Sequence, residues 1–327
     1  MAQPIYSVSI SARATLNMHS LNNEGGEGNQ IQTRMVNIID QHGRLQNVNA
    51  ISGDMFKHIQ AEHLFRLLNE QEGVPLCAGC QQFNANRINA DAEFIARTAN
   101  LNDAELLDEL LRRCAMDDIE GILITEGKRS VPRKSVIEFA WVVGVPDSVE
   151  TDSYFHVKYA AERSAEQRAQ DREATQSAGS NLGQAIFHRP ASSGVYATVC
   201  HLELSRIGFN DITQQYAVDE EQRRQRMEAV LKSVLFTYMQ PNGAMRSAQA
   251  PHLVDFAGVV TFSHSAVPAP TISPLKDSYR DQLGALTLSL EQMAPGAVSQ
   301  APFDSLSEFA DIVHALAQDE PYTFRYR

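Results

Sequence analysis

Two hydrophobic periods alternate along this chain, and their order is the feature that most narrows the folds open to it. Ile10, Ala12, Ala14 and Leu16 alternate with Ser9, Ser11, Arg13 and Thr15, a period of two that specifies a half-buried strand. Val195, Ala197 and Val199 repeat it against Tyr196, Thr198 and Cys200. Phe56, Ile59, His63, Leu64, Leu67 and Leu68 fall instead at helical spacing behind Ser52 or Asp54 as a cap. Met227, Val230, Leu231, Val234, Leu235 and Tyr238 form the strongest helical stripe, which Pro241-Asn242-Gly243 ends. Strands are expected near 5–16, 135–144, 194–207 and 254–263, and helices near 54–69 and 219–239.

Strand, helix, strand, strand, helix, strand is the ferredoxin-like α+β order, shared by RNA-recognition domains and by many enzymes. Two stretches interrupt it. Residues 71–118 hold Cys77-Ala78-Gly79-Cys80 and a helix from about Asn102 to Cys114, whose Asn102 and Glu105 have capping-box spacing. Residues 146–192 lose the pattern, and 161–181 are polar with no apolar stripe, so they are expected to be mobile. The division expected is a core of 1–70 with 119–145 and 193–275, insertions at 71–118 and 146–192, and a C-terminal extension, 276–327, packing on the core. Asn17 to Gln32, centred on Glu24-Gly25-Gly26-Glu27-Gly28-Asn29, reads as a loop, and Ile119 to Thr125 as a strand.

The chain has 327 residues and a net charge of −12, which argues against a surface that binds nucleic acid everywhere. The acid is unevenly placed: seven acidic residues stand against two basic ones between Leu101 and Glu120. A groove elsewhere can still be positive. No run approaches the ~18–20 apolar residues of a membrane span, and Met1 to Leu16 lacks a signal-peptide pattern. Four cysteines are too few for a disulfide scaffold. A cytoplasmic protein with no membrane partner is the expectation.

Cys77 and Cys80 have the spacing of half a zinc site, but Cys114 and Cys200 stand isolated and no histidine pair completes it. They read as free or core thiols. Asp117 and Asp118, adjacent in a strand-like stretch, would point to opposite faces and not share an ion. His58 and His63, five apart on a helix, do not share a face. No catalytic residue, metal site or cofactor is expected. What remains is polar loops: Ser52-Gly53 at a helix start with Lys57 in its first turn, the basic turn with Arg129, Arg133 and Lys134, and Arg246-Ser247 after the long helix.

These pieces resemble the DevR-type CRISPR-associated backbone subunit, the repeated subunit of type I Cascade effectors. The resemblance is carried by Ser9-Ile10-Ser11-Ala12-Arg13 with Leu16-Asn17, Glu27-Gly28-Asn29, Ile51-Ser52-Gly53, Gly121 to Gly127, Asn181-Leu182-Gly183-Gln184, Ser193 to Ala197, Arg206 to Asp211, and Pro241 to Arg246. Each is weak alone; their order is specific.

The resemblance implies a hand-shaped protein: a ferredoxin-like, RRM-like palm, a finger or lid from 71–118, and a thumb from 146–192. Copies would stack head-to-tail along a CRISPR RNA and support its pairing with target DNA, beside other Cascade subunits. Guide RNA must be held without its sequence being read, so contacts should go to phosphate and sugar. Loop position, donor chemistry and the resemblance together nominate Asn17, His19, Asn29, Arg34, Ser52, Lys57, Arg129, Gln184, Arg189, Arg246 and Ser247 as RNA contacts. Related type III subunits cut target with an aspartate in the loop after the first strand. Here 17–33 offers Glu24 and Glu27 but no Asp, and Asp40 falls in an expected strand. A non-catalytic subunit is therefore the reading. The alternatives are a metal- or histidine-dependent RNA endonuclease using His19 or His58, and a DNA-binding regulator, for which no basic recognition helix is seen.

Overall fold

The computed structural model describes residues 3–27, 30–125, 129–159, 184–243 and 250–325. A ten-stranded sheet organises them. Its strands are β1 (Ser7–His19), β2 (Asn23–Glu27), β3 (Gln30–Thr33), β4 (Met35–Ile39), β5 (Leu45–Ile51), β6 (Ile137–Phe139), β7 (Val142–Tyr159), β8 (Gln184–Leu202), β9 (His252–Ser263) and β10 (Val298–Phe303). They run in the order β10-β9-β1-β8-β7-β5-β4, with β3 and β6 also attached to β8 and β2 paired to β3. The pairs β9–β1, β1–β8 and β8–β7 are all antiparallel. The helices are α1 (Gly53–Glu70), α2 (Ala78–Gln81), α3 (Ala92–Thr98), α4 (Asp103–Arg113), α5 (Ala115–Glu120), α6 (Glu220–Met239), α7 (Tyr279–Met293) and α8 (Leu306–Leu316). None among the described residues is long and apolar enough to cross a membrane.

The strongest periodicities become the core. Ile10, Ala12, Ala14 and Leu16 of β1 and Phe256 and Val260 of β9 join the stripes of α1 and α6 in one apolar cluster. Ser52, extended at φ −64°, ψ 147°, caps α1 by accepting the Met55 amide at 3.1 Å. Gly53 has no room for a side chain: a Cβ there would sit 2.4 Å from the Phe139 carbonyl oxygen. Phe256 stacks on Tyr238 and packs against Phe303 and Phe309, which ties β10 and α8 to the same core.

The other face of β1 is not open, as a half-buried strand would be. Ser7, Ser9 and Ser11 are each 1% exposed, because the proline-rich segment 268–274 crosses over them. Prolines offer carbonyls and no amide, so the sheet supplies donors. The Thr261 hydroxyl donates to Pro270 O at 2.6 Å and Arg13 Nε to Pro274 O at 2.8 Å.

Several local expectations fail. Residues 17–27 are the end of β1 and β2, not one loop. Residues 146–159 and 184–192, expected to lose regular structure, continue β7 and β8 as a long antiparallel pair. The segment expected to be mobile, 161–181, lies outside the described residues. Ile119 lies within the helix α5, which ends at Glu120, instead of opening a strand, and Ile122–Ile124 pairs with Val131–Arg133 apart from the main sheet. Asp40 lies in the turn after β4, where its carboxylate accepts the His42 and Arg44 amides, Arg44 Nε and Gln46 Nε2. The capping box on α4 is present as its spacing requires.

Candidate nucleic-acid interface

Polar groups from separate parts of the chain converge where β1 ends. Leu16 pairs with Gly194 and His19 with Ser192, so β1 spends one residue more than β8 over the same stretch. The bulge sits at Met18, whose φ of +56° is left-handed. Strict alternation would send His19 to the face opposite Leu16. The bulge turns it inward instead, 2% exposed, with its ring edge-on to Tyr196 at 4.8 Å between centroids. Neither ring nitrogen has a hydrogen-bond partner among the described residues. Burial lowers its pKa from 6.5 to about 4, so the ring is neutral near pH 7.

Three residues on, Asn22 accepts the Ser52 hydroxyl at 3.0 Å and the Ser52 amide at 3.3 Å. Its own Nδ2 is buried without a partner among the described residues. Gly243 closes the other side: a Cβ there would fall 2.5 Å from Leu21 Cα. Thus Ser52-Gly53, Pro241-Asn242-Gly243 and the end of β1, distant in sequence, form one junction.

Asn49 links this junction to a stacked pair on the rim. Its Oδ1 accepts the Tyr196 hydroxyl at 2.8 Å, and its Nδ2 donates to the Arg34 carbonyl at 3.1 Å. The Arg34 guanidinium lies over the ring of Trp141, which is 45% exposed. Such a pair offers an aromatic face and a cation together, the chemistry that holds an unpaired base and its phosphate.

The nominated residues therefore divide. His19, Arg34 and Ser52 belong to this junction, and Asn17 lies two residues before His19, paired with His252. Arg189 stands across from Tyr154 on the β7–β8 pair, its Nε buried with no hydrogen-bond partner among the described residues. Gln184 opens β8 opposite Tyr159, at the far end of that pair. Lys57 and Arg129 are half-buried and bond within the chain. Lys57 Nζ is 3.4 Å from the Ile137 carbonyl, and its pKa is lowered by burial. Arg129 donates to the Ala99 and Leu101 carbonyls. Asn29, Arg246 and Ser247 lie outside the described residues.

Trp141 and Asn22 were not singled out from the sequence. Trp141 is the only tryptophan of the chain, a signal that was present, but its exposure depends on where β7 begins. Arg133, of the basic turn, proves to be buried. It donates to Asp118 Oδ1 at 2.6 Å, and Arg226 donates to Asp118 Oδ2 at 2.8 Å. Asp117, its neighbour, faces instead toward Cys77, Cys80 and Cys114. The two aspartates do part company, but because both lie on a helical turn, not on a strand.

Residues 10–283 match the family model described as CRISPR-associated negative auto-regulator DevR/Csa2. The chain is 27% identical over 237 residues to the CRISPR-associated protein Cas7/Cst2/DevR of Methanocaldococcus jannaschii, covering 69% of this chain and 71% of that protein. It is 23% identical over 242 residues to the CRISPR-associated protein Cas7/Csa2 1 of Saccharolobus solfataricus, covering 71% of each. Among solved structures, a chain of a CRISPR RNA-guided surveillance complex, pre-nicking, is 14% identical with a TM-score of 0.48, covering 95% of this chain and all of that one.

Proposed function

The chain belongs to the DevR/Csa2 family of CRISPR-associated proteins, and from that membership we propose that it is a non-catalytic backbone subunit of a Cascade-type surveillance complex, one that holds the CRISPR RNA and polymerises along it. The antiparallel order β9-β1-β8-β7, with α1 and α6 on one face, supports a ferredoxin-like palm. On this reading 71–118 is the finger region and the β7–β8 arms are the base of the thumb. The RNA path runs over the junction of His19, Asn22, Ser52, Arg34 and Trp141, with Asn17 and Arg189 beside it.

The observation that carries this reading is the stack of Arg34 on Trp141 at the rim of the junction, where an exposed ring and a cation lie together. A base can stack there while its phosphate meets the cation, without its sequence being read. A net charge of −12 is compatible with this, because only the groove must be attractive. Head-to-tail contacts that do not close on themselves would give a helical filament along the guide, leaving it available to pair with target DNA.

Co-expression with a CRISPR array tests the proposal. The expected product is a large particle carrying array RNA, which the purified protein leaves uncut with and without Mg²⁺. A protein that emerges free of nucleic acid and shows no affinity for single-stranded RNA at low salt would refute it. Specific cleavage of repeat RNA, abolished by His19→Ala, would favour an endonuclease instead.

A further inference from the structure

We propose that Cys77, Cys80, Cys114 and Asp117 form a structural zinc site, which ties the two ends of the 71–118 segment together.

The cluster is assembled by the fold. Cys77 and Cys80 open the segment, whereas Cys114 and Asp117 close it. Their ligand atoms all lie within 4.8 Å of one another, and all four residues are fully buried. Cys77 Sγ and Cys80 Sγ stand 3.4 and 3.6 Å from Asp117 Oδ2. Tetrahedral zinc, with Zn–S of about 2.3 Å and Zn–O of about 2.0–2.2 Å, requires sulfur–oxygen edges of about 3.5–3.7 Å and sulfur–sulfur edges of about 3.8 Å. The ligand polyhedron is thus already near its bound size.

Both halves have the same local construction. Cys77 caps a turn and accepts the Cys80 amide at 3.3 Å; Cys114 caps another and accepts the Asp117 amide at 3.4 Å. Each half is therefore a two-ligand turn whose leading sulfur receives a backbone N–H, an arrangement that favours the thiolate a metal needs. Gly79 allows the first turn to lie against Arg87, whose carbonyl oxygen would be 2.1 Å from a Cβ at that position.

Asp117 is the independent sign that a ligand belongs here. Its carboxylate is fully buried, and Oδ1 has no hydrogen-bond partner among the described residues. The cation on that side, Arg87 Nε, is 3.6 Å away. On Oδ2 it meets only thiols, which are weak donors. A buried carboxylate placed among three sulfurs gains little from them as neutral groups and much from a shared dication. Three thiolates and one carboxylate in a closed tetrahedron are a zinc set by softness and geometry. Four protein ligands leave no open position, so the role is structural. Binding releases the thiol protons and involves no redox change.

The fold gives the metal a purpose. Between Cys77 and Asp117 the chain makes α-helices of only 4, 7 and 11 residues, with a 3-10 turn at Arg87–Ala90, and enters a fourth α-helix, α5. Helices so short draw little stability from their own hydrogen bonds, and small modules of this kind are commonly stapled. Cys200, the remaining cysteine, is buried in β8 away from the cluster and serves as the internal control.

The test uses the full chain, purified under reducing, chelator-free conditions and measured by metal analysis. Stoichiometric zinc is expected. Cobalt exchanged for it should give the visible d–d absorption of a tetrahedral ion with strong thiolate-to-cobalt charge transfer. Cys114→Ser and Asp117→Asn should each weaken zinc binding by more than the roughly 10–100-fold that loss of an outer partner brings. Cys200→Ser should leave it unchanged. If the variants fail to fold, the wild-type cobalt spectrum decides. Iron in place of zinc would overturn the proposal. So would zinc that stays substoichiometric after reconstitution while all the thiols react with Ellman's reagent.

Discussion

The Arg34 guanidinium lies 5.2 Å from the centroid of the Trp141 ring, and the Arg34 carbonyl is held by Asn49, which also receives the Tyr196 hydroxyl. A surface stack is thereby anchored through one asparagine to the residue that packs against His19.

If that stack receives an RNA base, Trp141→Ala should weaken single-stranded RNA binding by roughly 1–3 kcal/mol, the range for one base–aromatic stack. With a single tryptophan in the chain, intrinsic fluorescence reports this place alone. Quenching on RNA addition is expected, and Lys57→Ala should leave it intact. Saturating RNA with no change in emission would exclude Trp141 from the interface.

His19 should make stability depend on pH. Its pKa is about 4 in the folded chain and 6.5 when unfolded, so the unfolded state binds more protons between those values. Stability is complete above about pH 6.5 and falls as pH drops toward about 4, by roughly 3 kcal/mol across the window at about 1.36 kcal/mol per unit. Between pH 7 and pH 5 urea melts should show about 2 kcal/mol of this loss. His19→Phe should lose correspondingly less over the same interval; equal losses in both proteins would assign the effect elsewhere.

Asp118 joins Arg133, Arg226 and the Gly208 amide in a fully buried network. Asp118→Asn leaves the buried Arg226 without its counter-charge and Arg133 with Asp211 alone, which should destabilise the fold by about 3–5 kcal/mol. Glu138→Gln, which breaks the exposed pair with Lys134, should change stability by less than about 1 kcal/mol. Thermal melts of the two variants would show the contrast, and similar shifts would contradict it.

Assembly on RNA should be cooperative, because each added copy gains a protein contact along with its RNA contact. Affinity for a thirty-nucleotide RNA should exceed that for a six-nucleotide one, with long particles on the former. Equal affinities and no long particles would remove self-assembly from the proposal.

The order of strands and helices was legible because it rests on local periodicity. Alternation at 9–16 and 195–200 and the stripe of 227–238 each need only a few consecutive residues to declare a face. The start of α1 was equally local, since Ser52 lies three residues from the amide it caps. The resemblance, carried by short ordered motifs, likewise needed no coordinates.

Other features depended on contacts between residues far apart in the chain. Nothing near Ser7 or Ser9 announces that a segment some 260 residues later will cover them and turn a half-buried strand into a buried one. The inward turn of His19 follows from one extra residue against β8. Cys114 looked isolated because its partners, Cys77 and Cys80, lie beyond any local spacing rule; only the packing of α2 against the turn before α5 brings them within ligand distance. The amino-acid sequence thus determined the strands and helices of the core whose apolar faces repeat locally, through interactions that act within a turn or a pleat. Tertiary structure alone decided which polar residues met, because burial and close approach are properties of the folded chain.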